Sequence, residues 1–169
     1  MAILTETNHI SLAGVTVLAR AVKAAQNDVV VFPYPGVTIL QATLATGAVE
    51  AATRPVLVVN NTATAYDAAT TTIAYDGATA STRPASGYYA MTSSGEILYV
   101  EADSGAAAAS GNLTVRRGCL GTTPSAIGIA DDNTLYVLCS VTLSTADTTG
   151  IVNVTYLPLP EDPGAVIYQ

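Results

Sequence analysis

For chemistry the sequence offers one histidine, two cysteines and thirteen carboxylates. A Ser-His-Asp or Cys-His arrangement would need His9 as its base. His9 stands close to the start of the sequence between Asn8 and Ile10, a poor place to hold a base rigidly. One His with Cys119 and Cys139 falls short of the usual zinc ligand set. Paired acids can cleave glycosides, and Glu96, Glu101 and Asp103 fall near one strand. Strand alternation puts Glu96 and Glu101 on opposite faces, which argues against a catalytic pair. Asp131-Asp132-Asn133 could offer oxygens to calcium, but a polar turn before a strand at Thr134 is the preferred reading. There is no Gly-x-x-x-x-Gly-Lys and no strand-turn-helix context for a dinucleotide. No catalytic, cofactor-binding or metal-binding residue is therefore assigned, no cofactor is expected, and the chain reads as a non-enzymatic protein.

Charge narrows the partners. Only 11% of the residues are charged and the net charge is −7, against roughly 25% charged in an average soluble domain. Lys23 is the only lysine, joined by Arg20, Arg54, Arg83, Arg116 and Arg117. Binding a phosphate backbone takes several clustered cations, and the Arg116-Arg117 pair is too small a patch, so direct nucleic-acid binding is not expected. A surface poor in charge fits a protein partly covered by neighbours, although secreted β-proteins share the trait. No stretch approaches the roughly 20 apolar residues that cross a bilayer. The opening Met1–Glu6 lacks the basic start and apolar run of a signal peptide, so synthesis in the cytosol is expected. Cys119 and Cys139 make no disulfide framework, and free buried thiols are the favoured reading.

The elements that would position these residues read as strands, and the length of 169 residues suits one domain. Near-helical spacing of Leu12, Val15, Leu18, Ala19 and Val22 predicts an N-terminal arm over 1–27 with at most one short helix near Val17–Ala25. An ordinary first strand is the alternative, since Gly14 and the β-branched Val15-Thr16-Val17 weaken a helix. From Asp28 onward short apolar runs alternate with breakers: Asp28–Phe32, Val37–Leu40, Pro55–Val59, Thr70–Tyr75, Tyr88–Met91, Glu96–Glu101 and Asn112–Arg116. Asp76-Gly77 reads as a hairpin turn, Ser93-Ser94-Gly95 as the turn into Glu96, and Ser104–Gly111 as an exposed loop. Thr134–Leu143 and Gly150–Leu157 alternate with period two and are expected to form an antiparallel hairpin. Pro158, Pro160 and Pro163 end the pairing and leave an extended tail over 158–169. The Thr-Arg-Pro repeat at Thr53–Pro55 and Thr82–Pro84 has no further period and is read as coincidence. The expected fold is an all-β antiparallel sandwich or barrel over 28–157.

One stretch carries more than composition. From Gly87 to Ala126 a Gly-led strand is followed by Glu96-Ile97-Leu98-Tyr99-Val100, a loop, Leu113-Thr114-Val115, and then Arg117-Gly118-Cys119-Leu120-Gly121-Thr122. This resembles a small β-module of tailed-bacteriophage virion proteins, through Gly87, Glu96, Ile97, Tyr99, Leu113, Val115, Arg117, Gly118, Gly121 and Thr122. The likeness covers about a quarter of the chain. Where that family often shows a histidine after Gly-Thr, this chain has Pro124-Ser125-Ala126-Ile127. Within the module Gly118 and Gly121 are expected to bracket a tight turn at positive φ, and Glu96 to pair with Arg116 or Arg117 across strands.

The resemblance implies a structural virion role. The favoured form is a capsid decoration (cement) protein on the outer capsid surface, whose partners are major capsid protein subunits and copies of itself. A tail, head-tail adaptor or baseplate component is the alternative. A carbohydrate-binding β-module is less favoured, because the chain has no Trp.

Overall fold

Alternating apolar residues need a second layer to cover them, and here three sheets supply it for one another. The computed structural model describes residues 3–8, 17–32, 37–44, 50–60, 65–127, 134–145 and 149–159. The strands are β1 (Ile3–Asn8), β2 (Val17–Lys23), β3 (Asp28–Val31), β4 (Val37–Leu44), β5 (Ala52–Thr53), β6 (Val56–Val58), β7 (Thr72–Tyr75), β8 (Tyr88–Thr92), β9 (Ile97–Asp103), β10 (Gly111–Arg116), β11 (Thr134–Val137), β12 (Ser140–Leu143) and β13 (Gly150–Pro158). A single 3₁₀ turn follows β10 at Cys119–Gly121, and no α-helix occurs among the described residues. The protein is all-β, as its alternation predicts.

Six strands in the order β6-β11-β8-β9-β10-β7 form one antiparallel sheet. It curls until its edges nearly meet: Val59 bridges Tyr75, Asn60 N–H donates to Ala74 O at 2.8 Å and Asp76 N–H to Val58 O at 3.0 Å. So small a barrel has room only for side chains, and Leu57, Ile73, Tyr88, Leu98, Leu113 and Leu135 inside it are wholly buried. The β9–β10 pairing contains a bulge. Thr114 faces Ala102 while Val115 faces Val100, so Glu101 is the extra residue. The bulge reverses the alternation after Glu101, which brings both Val100 and Asp103 inside.

Two smaller sheets lean on this barrel, β1-β2-β13-β4 and β3-β12-β5. In the first, Ala19, Ala21, Val152, Val154 and Tyr156 turn inward. Val22 and Ile151, register partners, are exposed on the other face. Phe32 sets its ring 4.5 Å from that of Tyr156, and buried residues of all three sheets belong to one continuous core.

Three expectations change. Val17–Lys23 is a strand and no helix forms there: its period-two burial places Ala19, Ala21 and Lys23 on the core, between β1 and β13. Thus the later part of the expected arm over 1–27 lies in a sheet, as the first-strand alternative has it. Thr134–Leu143 breaks at Leu138-Cys139 into β11 and β12, which join different sheets, so β12 pairs with β3 and β5 and never with β13. The break is held open by other partners: Leu138 O accepts from Ile39 N–H at 3.0 Å and from Arg54 Nη1 at 3.1 Å. Asp76-Gly77 is no hairpin turn, because β7 pairs with β10. Gly77 serves a close approach instead, since a Cβ there would lie 2.6 Å from Val58 Cβ.

Candidate interaction site: a clamped turn on the barrel

The module from Gly87 to Ala126 folds as β8, β9 and β10, three adjacent antiparallel barrel strands, followed by the turn after Arg116. The β8–β9 hairpin turns at Ser93-Ser94-Gly95, with Gly95 at φ +92°. Glu96 thereby stands at the mouth of the barrel beside the end of β10.

Around this one carboxylate the turn is assembled. Arg117 grips it with two parallel bonds, Nε to Oε1 and Nη2 to Oε2, both 2.8 Å. Gly118 N–H donates to Oε1 at 3.0 Å and Ser125 N–H to Oε2 at 2.9 Å. Arg117 also donates Nη1 to Asp67 O at 2.8 Å and to Thr70 O at 3.1 Å, and Nη2 to Ser125 O. The two side chains are only 5% and 1% exposed. Burial works against ionising Glu96, but Arg117 and the two backbone N–H groups outweigh it and hold its pKa below the ordinary glutamate value. Thr122 closes the turn, accepting from Ile97 N–H at 3.0 Å and donating to Cys119 O at 2.8 Å.

Backbone geometry shows what is being held. Gly118 (φ +62°), Leu120 (φ +53°) and Gly121 (φ +81°) are all left-handed. Gly118 is further constrained, since a Cβ would sit 2.7 Å from Pro124 Cδ. Leu120 pays the steric cost of its side chain in this region, and that side chain is 37% exposed. The product is a rigid turn presenting an apolar tip.

Of the residues singled out in sequence, Glu96 pairs with Arg117, while Arg116 pairs with Glu101 on the outer face. Glu96 is buried and Glu101 exposed, on opposite faces. Asp103 lies seven residues along from Glu96, about 23 Å at the usual strand rise, far beyond the carboxylate spacing of glycoside hydrolysis. Cys119 and Cys139 are free and buried, in separate apolar clusters. Burial raises both thiols, Cys139 to about 12. His9 and Asp131-Asp132-Asn133 lie outside the described residues. No group of three metal-ligating side chains forms among those described.

Two further polar centres escaped sequence reading. In the first, Asp103 Oδ2 accepts from Arg83 Nε at 2.7 Å and Tyr88 OH at 3.1 Å, and Oδ1 accepts from Tyr75 OH at 2.5 Å and Gly105 N–H at 2.9 Å. Arg83 continues to Gly105 O and Thr79 O and stacks on the Tyr75 ring. Burial and Asp103 push the Tyr75 hydroxyl up to about 12 and raise that of Tyr88 as well, so both stay protonated. In the second, Lys23 Nζ donates to Glu50 at 2.8 Å and to Thr145 O at 2.7 Å, fully buried. For the first centre the one available signal was the repeated Thr-Arg-Pro, whose second copy holds Arg83. Both its arginines bond backbone carbonyls, Arg54 those of Leu138 and Ile39, Arg83 those of Thr79 and Gly105.

No family model matches the sequence, and neither a curated protein nor a solved structure matches the chain.

Proposed function

We propose that this chain is a structural component of a tailed-bacteriophage virion, a decoration (cement) protein that binds across major capsid subunits and to copies of itself on the outer capsid surface. The observation that carries the reading is the clamped turn. The residues by which the sequence resembles the virion module include Glu96, Arg117, Gly118, Gly121 and Thr122, and these are the ones that hold the turn. Such a use of buried charge suits fitting against another protein: it fixes a surface before contact, so little ordering cost is left for binding. The role is structural and not catalytic. The carboxylates of Glu96 and Asp103 are spent on internal bonds, which leaves them no lone pair aimed at a substrate.

Cryo-electron microscopy of empty capsids lacking the protein, after its addition, tests this. Density over capsomer junctions at local symmetry axes is the expected result. Density restricted to the portal or tail would overturn the decoration role in favour of a tail, adaptor or baseplate component, and no density on any particle would overturn both.

A further inference from the structure

The outer face of an antiparallel barrel is ordinarily polar, because it meets water. On β7 and β10 it is: Thr72, Asn112 and Thr114 are exposed there. Across β6, β11, β8 and β9 it is not. Register aligns Val56, Tyr136, Met91 and Ile97 in one apolar row, and each is half-buried. Cys119 packs beside Met91 and Ile97 at the end of this row, and the residue after it is the exposed tip of the clamped turn. Leu120 sits at φ 53° and ψ 33°, a region that an L side chain enters at a steric cost and glycine enters freely. Its neighbours Gly118 and Gly121 are glycines at positive φ; Leu120 keeps its side chain there, 37% exposed. A strained residue that the surrounding structure holds in place points to a role outside the fold itself.

We infer that Leu120 is the anchor of a two-fold contact between two copies of this chain, the tip of each resting on the Met91–Ile97 end of the other's row, with Arg116 of each opposite Glu101 of the other. The composition of the face selects a second copy. A two-fold interface uses one patch twice, so the patch must complement itself. This one carries a projecting apolar tip beside a flatter apolar row. It also carries one charge of each sign: along β8, β9, β10 and β11 the exposed charged residues are Arg116 and Glu101. Their side chains are 49% and 37% exposed, and the Arg116 guanidinium lies 5.7 Å from the Tyr99 ring centre at the margin of the apolar surface. Copies that each carry a net charge of −7 repel one another, and a patch of balanced charge is where they approach at least cost. The clamp of Glu96 and Arg117 fixes the tip beforehand, so little ordering is left to the contact. The pairing needs no capsid, and it stands or falls apart from the virion reading.

Sedimentation velocity over a concentration series of the full chain tests this. The parent chain is expected to form a reversible dimer. In Leu120→Gly two apolar contacts are lost per dimer, so the dissociation constant should rise at least about tenfold. The thermal midpoint of that variant should stay within about 3 °C of the parent's, because relief of the left-handed strain offsets the packing lost. The charges give a test that a role within one molecule would not move. Arg116→Glu and Glu101→Arg should each weaken association alone, by setting like charges against each other, and an equal mixture of the two should restore it, since every cross-pair is then of opposite sign. A parent chain that sediments as a monomer throughout would overturn the inference and assign the tip to a different protein. A mixture that associates no better than either variant alone would overturn it as well. So would a larger fall in the midpoint of Leu120→Gly, by showing that Leu120 serves its own fold.

Discussion

A single carboxylate organises the turn of the module, and its removal sets the scale of what the turn contributes. Cutting one partner from a buried, hydrogen-bonded ion pair leaves the other charge without compensation, at about 3–5 kcal/mol. Arg117→Met should lose stability of that order in urea unfolding, because Glu96 stays buried among its remaining donors. The pH dependence carries the same signature. The pKa of Glu96 is depressed in the folded protein, so its contribution is complete above the unfolded value of about 4.3 and is lost as pH falls through the folded value. In Glu96→Gln this acid-side loss should be smaller than in the parent chain. Equal slopes of stability against pH in the two would show that Glu96 does not supply it.

At the scale of elements, β2 matters most. It lies between β1 and β13 and contributes Ala19, Ala21 and Lys23 to the interior. Read from sequence as part of an arm, residues 1–26 could be deleted with the fold intact. With β2 in place the opposite is expected. Deletion would strip one side of β13 and leave Glu50 buried without its lysine, and circular dichroism of the shortened chain should show loss of strand signal. The strand positions were largely legible in the sequence: β3, β6, β8, β9 and β10 fall within or close to the short apolar runs bounded by breakers, and β13 within or close to a period-two run. The pairing of Glu96 with an arginine of the Arg116-Arg117 pair and the left-handed Gly118 and Gly121 were legible too. What stayed hidden depends on contacts distant in sequence. The spacing of Val17–Lys23 fits helix or strand until β13 is known to lie beside it. The break at Leu138-Cys139 looks continuous in sequence because Leu135, Val137, Cys139, Val141 and Leu143 are buried on both sides of it. Asp103 reads as outward-facing until the bulge at Glu101 turns it in.

At the scale of the whole molecule, the barrel and the two smaller sheets share one core, and Arg54 ties Leu138 of the barrel side to Ile39 of β4. A single cooperative heat-capacity peak should follow, with equal calorimetric and van't Hoff enthalpies. Two resolved peaks would mean that the barrel melts apart from its neighbours. The ring itself is fastened unevenly. Its other interfaces run through three or more register pairs, whereas β6 and β7 meet at the Val59–Tyr75 bridge and the bonds flanking it. Cylinders of this kind come undone along their narrowest weld, and that would expose two fresh rims of backbone donors and acceptors, each a template for another chain. Gly77 guards the weld: only hydrogen fits where it meets Val58, and any bulkier group would act as a wedge driven into the joint.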